Sequence, residues 1–196
     1  AAALEQFELY FGPGRQVHLY SAPGRAELGG NHTDHQHGYG LAAAVTLDLV
    51  AVAARTTDGY VRVKSRGFNK LDVIDLATAA PQEGERTHSA SLIRGIAEGF
   101  RTAGKAIGGF DAYTACDGLR GSGLSSSAAF EMGMACIWYG EYACGLDARA
   151  LAGICQYAEN TYFGKPSGLL DQLASAVGGV IFADFADPAA PQVEKI

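Results

Sequence analysis

The stretch RGSGLSSSAAF, residues 120–130, has the composition of a phosphate-binding turn. Its two glycines allow a tight backbone turn, and the small side chains that follow leave the amide groups at the start of a helix open to an anion. These N–H groups and the positive end of the helix dipole favour a phosphate, while the serine hydroxyls offer oxygen ligands to Mg²⁺. The alternative is a serine N-cap on a tightly packed helix, because serine is a preferred capping residue.

A second candidate is GGNHTDHQHGYG, residues 29–40, which holds three of the five histidines of the chain. His32, His35 and His37, together with Asp34, have side chains that bind zinc, but their i, i+3, i+5 spacing in a glycine-flanked loop fits no common zinc framework. The same donors and acceptors at a turn suit the neighbouring hydroxyl groups of a ligand. Ligand recognition is the favoured interpretation, and a metal site and a solvated loop remain as alternatives.

Hydrophobic periodicity predicts the elements that must position these two segments. Strands are predicted at 16–22, 47–54, 59–65, 70–76, 111–119 and 179–185, with a hairpin turn at Asp58-Gly59. Helices are predicted at 89–104, 126–144, 147–164 and 169–178. Because strands come first and helices afterwards, we expect an α+β fold with helices on one side of a mostly antiparallel or mixed sheet.

Composition bounds the class of protein. The 196 residues are 48% hydrophobic and 18% charged, which is typical of a globular domain with a buried core. A net charge of −6 without a cluster of lysine and arginine argues against a nucleic-acid partner. Neither a membrane-spanning run nor a signal peptide is recognisable, and the four cysteines form no CxxC pair. We therefore predict a cytoplasmic protein without a nucleic-acid or membrane partner.

Three segments, in order along the chain, resemble motifs of the galactokinases and of the wider GHMP family of small-molecule kinases. SAPGRAELGGNHTDHQHG, residues 21–38, resembles the galactokinase signature, in which Ala-Pro-Gly-Arg leads into Gly-Glu-His-Thr-Asp. GSGLSSSAA, residues 121–129, resembles the GHMP nucleotide-binding motif. AENTYFGKPSGLLDQLASAVG, residues 158–178, is similar to the galactokinase stretch that ends in Gly-x-x-Asp-Gln. The resemblance implies a GHMP kinase N-terminal domain and transfer of phosphate from ATP to the anomeric hydroxyl of galactose.

The resemblance also implies a role for each matching residue. Asp171 would accept the proton of the anomeric hydroxyl, and Arg25 beside it would keep Asp171 ionised and stabilise charge on the phosphoryl group. Sugar hydroxyls would contact Asn31, His32 and Asp34. The ATP phosphates would contact Gly121, Ser122, Gly123, Leu124, Ser125, Ser126, Ser127 and Ala128, and Mg²⁺ would contact Ser127 and Glu159. Taken alone, Asp171 has a simpler interpretation as a helix-capping carboxylate, and Arg25 as half of a surface ion pair.

Asn31 departs from the galactokinase signature, which has glutamate at this place. The amide keeps one acceptor, gains a donor and loses the charge. One hypothesis is that a neutral side chain tolerates a sugar carboxylate at C6, as in galacturonate, which glutamate would repel. A non-catalytic sugar and ATP sensor is a further alternative, although a sensor needs neither Arg25 nor Asp171. The last alternative is a hydrolase or metalloenzyme that uses the histidine cluster.

The resemblance implies a longer parent protein as well. The family carries a C-terminal domain with a third glycine-rich motif that closes over the ATP phosphates. We therefore expect residues 1–196 to be the N-terminal domain that binds the sugar and the ATP phosphates. The C-terminal domain of the same parent would be its partner, and the fragment alone would be inactive.

Overall fold

The computed structural model describes residues 1–30, 33–116 and 122–196. Within these ranges the strands are β1 His18–Gly29, β2 Tyr39–Arg55, β3 Tyr60–Ser65, β4 Leu71–Asp75, β5 Phe110–Cys116, β6 Val180–Asp184 and β7 Gln192–Lys195. The α-helices are α1 Ala2–Phe11, α2 Ser89–Thr102, α3 Ser126–Tyr142, α4 Ala148–Tyr157 and α5 Leu170–Val177. Short 3₁₀ turns occur at Thr33–Gln36 and Glu83–Glu85, and a π-helical turn, Ala158–Phe163, continues α4.

The strands form one mixed sheet organised around the long strand β2. β1 pairs with β2 along one edge, and β5 and β6 pair with the two ends of the opposite edge. The remaining order is β4-β3-β5 on one side and β6-β7 on the other. β3 and β5 are parallel, whereas the other pairs are antiparallel. The predicted α+β fold with a mixed sheet is therefore confirmed.

The main core lies between one face of this sheet and helices α2 to α5. Trp138 is fully buried at its centre, with its ring 5.9 Å from that of Phe100 and 5.0 Å from that of Phe110. The predicted apolar face of α2 is buried, and it comprises Leu92, Ile93, Ile96 and Phe100. Each large apolar side chain removed from water in this way contributes about 1.5–3 kcal/mol. This packing fixes the helices whose N-terminal ends carry the candidate site.

The expectation that all helices lie on one side of the sheet is wrong, because α1 packs on the opposite face. Phe7 of α1 is fully buried against Val52 and Tyr113. The reason is in β2, where residues 49–54 are apolar without interruption and therefore bury side chains on both faces. β2 also begins at Tyr39, earlier than predicted, since its first half pairs with β6. No helix in the described ranges is long and apolar enough to cross a membrane.

Candidate active site

The glycine-serine segment leads into the N-terminus of α3. Gly123 and Ser125 both have left-handed backbone conformations, with φ of 77° and 53°. The Ser122 hydroxyl accepts a hydrogen bond of 3.3 Å from the Leu124 amide, and Ser126, Ser127 and Ala128 form the first turn of the helix. Ser125 makes no side-chain cap, because its hydroxyl donates to Asp171 instead. The simple N-cap interpretation is thus wrong for Ser125, and Gly121 lies outside the described residues.

Arg25 and Asp171 form a two-pronged ion pair next to this segment. Arg25 Nε donates to Asp171 Oδ1 at 2.5 Å, and a terminal nitrogen of Arg25 donates to Oδ2 at 2.7 Å. The other terminal nitrogen donates to the Gly123 carbonyl at 3.3 Å, and the Arg25 amide donates to the Leu124 carbonyl at 3.0 Å. The Arg25 side chain is 8% exposed and that of Asp171 is 27% exposed. A surface ion pair does not describe this arrangement, since the arginine is buried and connects the carboxylate to the turn.

The pairing of β1 with β2 is irregular next to Arg25, and the extra residues of this irregularity lie in β2, opposite Gly24. The β1–β2 register is regular up to Pro23, which pairs with Asp48, and then shifts so that Arg25 pairs with Ala44. An irregularity of this kind bends the strand locally and redirects its side chains, and it is common beside functional sites. Arg25 therefore leaves the regular alternation of β1 and meets α5 and the turn before α3.

Asp34 lies at the same end of α5 as Asp171. It sits in the 3₁₀ turn Thr33–Gln36, is buried, and accepts a hydrogen bond of 3.2 Å from the Leu170 amide through Oδ2. Its carboxylate lies directly against residue 168, where a Cβ would come within 1.7 Å of Oδ2, so only glycine fits there. Oδ1 of Asp34 is buried without a hydrogen-bond partner among the described residues. This oxygen can accept a hydrogen bond from a hydroxyl group of a ligand.

The two described histidines of this loop, His35 and His37, do not converge on one point. Nε2 of His35 lies 4.0 Å from Oδ1 of Asp34, beyond hydrogen-bond distance, and His37 Nδ1 contacts the Ala186 carbonyl at 3.2 Å. Across the described ranges, no group of three histidine, cysteine, aspartate or glutamate side chains is arranged to hold a metal ion. Asn31 and His32 lie outside the described residues, so their sugar contacts stay predictions.

Glu159, in the π-helical turn, is a buried carboxylate with a partner on each oxygen. Its Oε1 contacts Lys165 Nζ at 3.0 Å, and its Oε2 accepts a hydrogen bond of 3.0 Å from Gln172 Nε2. Gln172 also donates to Oε2 of Glu131 on α3 at 3.1 Å. Gln172 follows Asp171 in the chain, so one turn of α5 connects the Arg25–Asp171 pair to Glu159. This carboxylate and the serine hydroxyls at the start of α3 are oxygen donors of the kind that Mg²⁺ accepts.

Two family descriptions match the chain. Residues 5–55 match the galactokinase galactose-binding signature, and residues 91–179 match the N-terminal domain of the GHMP kinases. The chain belongs to the GHMP kinase family. The first match contains Arg25 and Asp34, and the second contains Glu159, Asp171 and the described part of the glycine-serine segment.

Curated relatives of this GHMP kinase include galactokinases from several bacteria. It is 36% identical over 178 residues to the Streptomyces coelicolor galactokinase and 31% identical over 173 residues to that of Bacillus subtilis. These alignments cover 89% and 88% of the chain but 46% and 44% of the relatives. The chain therefore spans about half the length of the curated relatives it matches.

Solved structures agree with this relationship. The structure of Lactococcus lactis galactokinase complexed with galactose has a TM-score of 0.89 and 28% identity, over 98% of this chain and 50% of that one. A mevalonate kinase structure has a TM-score of 0.73 at 16% identity, over 91% of this chain and 56% of that one, and this likeness shows the fold alone. The predicted GHMP kinase N-terminal fold is thus confirmed.

A cavity of about 520 Å³ in this GHMP kinase adjoins the start of α3. Its lining includes Leu49, Ser65, Arg66, Phe68, Lys70, Asp72, Thr87, His88, Ser89, Leu92, Thr114, Cys116, Ser126, Ser127 and Phe130. Thr87 has a φ of 66°, which is uncommon for a β-branched residue and typical of ligand-contacting loops. A larger cavity of about 740 Å³ lies beside α1, but no residue of α3 lines it. The smaller cavity is therefore the better candidate for a ligand that also contacts the glycine-serine segment.

Sequence reasoning missed this cavity and the two buried carboxylates, Glu131 and Glu159, that share Gln172 as a hydrogen-bond donor. The lining residues come from five separate segments, and only the segment with Ser126 and Ser127 belongs to a motif visible in the sequence. Glu131 could have been noticed, since a glutamate among AAFEMGMAC is a charged residue inside an otherwise apolar helix. Its partners could not, because Gln172 lies 41 residues further along the chain.

Burial raises the pKa of Glu131 well above its ordinary value, and the nearby charge of Glu159 raises it further. Asp171 acts in the same direction, while Gln172 and Lys165 act against it. The native state therefore favours the protonated, neutral form of Glu131. A neutral acid costs less to bury than a carboxylate, which explains how the fold accommodates Glu131 beside Glu159.

Glu131→Gln is expected to flatten the pH dependence of stability. Above the ordinary carboxyl pKa of about 4.5 the unfolded chain loses the proton that native Glu131 keeps, so the free energy of unfolding of the wild type falls as pH rises. The contribution approaches about 1.4 kcal/mol per pH unit while only the native state is protonated. Urea unfolding between pH 5 and 8 measures it, with Glu8→Gln on the exposed side of α1 as the control. Parallel curves for wild type and Glu131→Gln would contradict the assignment.

Proposed function

We propose that this chain is the sugar- and ATP-phosphate-binding part of a galactokinase, which transfers phosphate from ATP to the anomeric hydroxyl of galactose. The observation that carries the proposal is the contact of Asp171 with both Arg25 and Ser125. This contact connects a carboxylate, which can accept a proton, with the turn that would hold the phosphates. A sugar sensor has no need for such a connection.

The residues divide the chemistry between them. The anomeric oxygen attacks the γ-phosphorus of ATP, its proton passes to the Asp171 carboxylate, and ADP leaves. Both oxygens of Asp171 are held by Arg25, so the carboxylate has one orientation and does not rotate away from the hydroxyl. The Arg25 guanidinium also offsets negative charge that builds up between the sugar and the phosphoryl group. Alignment and charge supply most of the catalysis in phosphoryl transfer.

We assign Asp34, Asn31 and His32 to the sugar. The position of Asp34 supports this assignment. Its buried Oδ1 lacks a hydrogen-bond partner in the described part of the chain, and its carboxylate lies at the N-terminus of α5 near Asp171. The hydroxyl of a sugar would satisfy that oxygen and bring the anomeric carbon to the proton acceptor. Asn31 is the residue that distinguishes this chain from the galactokinase signature, so galacturonate is the second candidate substrate.

We assign the ATP phosphates to Gly121 and to the turn 122–128, whose Gly123 and Ser125 conformations support the helix terminus as an anion site. Mg²⁺ would be held by Ser127 and Glu159 and would neutralise the phosphate oxygens. Two protein oxygens suffice for a metal that arrives with ATP, because the phosphates and water complete its coordination. The adenosine part would occupy the cavity of about 520 Å³ beside Ser126.

ATP is expected to protect Cys116 from alkylation. Cys116 lines the proposed nucleotide cavity, at the end of β5, whereas Cys136 does not. At an ATP concentration ten times its Kd, a site that excludes the reagent slows the reaction of Cys116 about tenfold by mass action. Peptide mapping by mass spectrometry after iodoacetamide treatment measures both thiols, with Cys136 as the internal reference. Equal rates for Cys116 with and without ATP would place the nucleotide elsewhere.

We also propose that the parent protein is cytoplasmic and that a second domain of the same protein is the partner of this chain. The first proposal is supported by four cysteines that remain thiols. The second is supported by the galactokinase relatives, of which the chain covers about half.

The test of the proposed function is ATP consumption by the full-length protein with galactose, galacturonate, glucose and no sugar in parallel. Turnover with galactose alone or in clear preference supports a galactokinase. Preference for galacturonate, reversed by Asn31→Glu, would support the second candidate. Absence of turnover with every sugar, in protein that binds ATP, would favour the sensor.

A further inference from the structure

Lys165 forms an ion pair with Glu159 at a position where a metal cation could bind instead. Its ammonium lies 3.0 Å from Oε1 of Glu159, and its side chain is 58% exposed while that of Glu159 is 3% exposed. Oε2 of Glu159 is occupied by Gln172, so Oε1 is the oxygen that remains for a further ligand. A buried carboxylate needs a counterion, and Lys165 supplies it in the described structure.

The backbone brings Lys165 to this place. Gly164 ends the π-helical turn in a left-handed conformation, with φ of 84°. The amides of Gly164 and Lys165 both donate to the Glu159 carbonyl, at 3.0 and 3.1 Å, so the chain folds back over Glu159. The left-handed backbone at residue 164 favours glycine, because other side chains rarely adopt this conformation. Lys165 is therefore fixed through its backbone, and only its long side chain is able to move.

We propose that Lys165 is an exchangeable counterion, which neutralises Glu159 when no nucleotide is bound and turns to the ATP phosphates when Mg²⁺ takes its place. The inference rests on the proposed function, in which Glu159 is a Mg²⁺ ligand. It adds a positioning role for Lys165 that neither the motifs nor the matched families assign.

Electrostatics favours this exchange over simultaneous binding. Mg²⁺ binds oxygen at about 2.0–2.1 Å, and a metal on Oε1 of Glu159 would lie too close to an ammonium on the same oxygen. The bond from Gln172 to Oε2 keeps the carboxylate in place while its other partner changes. Lysine is suited to such a move because its charge sits on a flexible four-carbon stem. The released ammonium then lies beside the metal-bound phosphates, where it adds a second positive charge.

The test compares ATP binding with and without metal in the full-length protein. Isothermal titration calorimetry gives Kd for ATP in EDTA and Kd for ATP in excess Mg²⁺. The first Kd divided by the second measures how far ATP binding depends on the metal. Without metal, Lys165 of the wild type stays on Glu159 and neutralises this carboxylate beside the ATP phosphates, which keeps the ratio small. In Lys165→Met we expect the ratio to rise about tenfold or more, the effect of losing one charge-assisted contact. Lys165→Arg, which keeps the charge, is expected to stay near the wild-type ratio.

Binding of Mn²⁺ without nucleotide, followed by electron paramagnetic resonance, is the second readout. Removal of the competing ammonium is expected to tighten Mn²⁺ binding in Lys165→Met and not in the control Lys105→Met. Lys105 suits this control because it lies near Cys144, at the far end of the 17-residue helix α3 from Ser127.

An unchanged ATP ratio together with unchanged Mn²⁺ binding would overturn the inference while leaving the proposed function intact. Wild-type protein that binds no ATP even with Mg²⁺ would overturn both. A rise in the ratio that Lys165→Arg shares would also contradict the role, because it would show that the charge is not what matters.

Discussion

Asp171→Asn is expected to lower kcat for the sugar by about three orders of magnitude while Kd for ATP changes by no more than about twofold. Asparagine fills the same space and still accepts a hydrogen bond from Arg25, but it takes up no proton from the sugar hydroxyl. The phosphate turn keeps its left-handed residues, Gly123 and Ser125, so the nucleotide site is preserved.

The unchanged Kd for ATP and a matched control variant separate this result from a folding defect. Asp147→Asn is the matched control, since Asp147 caps α4 by accepting a hydrogen bond of 2.7 Å from the Ala150 amide and asparagine caps equally well. It is expected to keep wild-type kcat. Retained turnover in Asp171→Asn would remove Asp171 from the role of proton acceptor.

Arg25→Met has the second largest expected effect, a decrease in kcat of about a hundredfold or more. Methionine fills part of the buried space but removes both donors to Asp171 and the donor to the Gly123 carbonyl. Arg25→Lys is expected to recover part of the loss, because it restores the charge without the planar two-pronged geometry. Circular dichroism and thermal unfolding of each variant check that the sheet is intact.

The double variant Arg25→Met with Asp171→Asn decides whether the two residues act as a unit. If Arg25 acts chiefly by holding and neutralising Asp171, the double variant loses about as much kcat as Asp171→Asn alone. Losses that simply multiply would show that Arg25 acts on the phosphoryl group independently of Asp171. Both outcomes differ from the sensor alternative, in which the wild type has no turnover that either substitution could lower.

The sequence predicted the parts of the site but not how they meet. The glycine-serine turn and the aspartate at the start of α5 are visible as local patterns of small and charged residues. Arg25 and Asp171 are 146 residues apart, and Asp34 is 136 residues from the Leu170 amide that it binds. Spacing along the chain carries no information about such contacts, and the family resemblance supplied the pairing that physical patterns left open.

The same limit explains what was missed in the fold. Local pattern does not predict α1, because its burial depends on which face of β2 lacks a cover. The sequence pattern predicts one continuous helix over 147–164 and does not distinguish the π-helical turn Ala158–Phe163 from α-helix. The contact of Lys165 with Glu159 could not be predicted from helical spacing, because a reversal of the chain at Gly164 brings the two residues together. Asn31, His32 and Gly121 lie outside the described residues, and their roles stay predictions.

In the proposed function, this protein phosphorylates the anomeric oxygen of a galactose-type sugar. The most direct test is to give the full-length protein ATP, Mg²⁺ and galactose labelled with ¹³C at C1, and to follow the product by ¹³C and ³¹P nuclear magnetic resonance. We expect the labelled carbon signal to be split by coupling to phosphorus as ATP is consumed, and Asp171→Asn to form this product about a thousandfold more slowly. A sugar phosphate without coupling at C1, or no phosphorylated sugar from protein that binds both galactose and ATP, would contradict the claim.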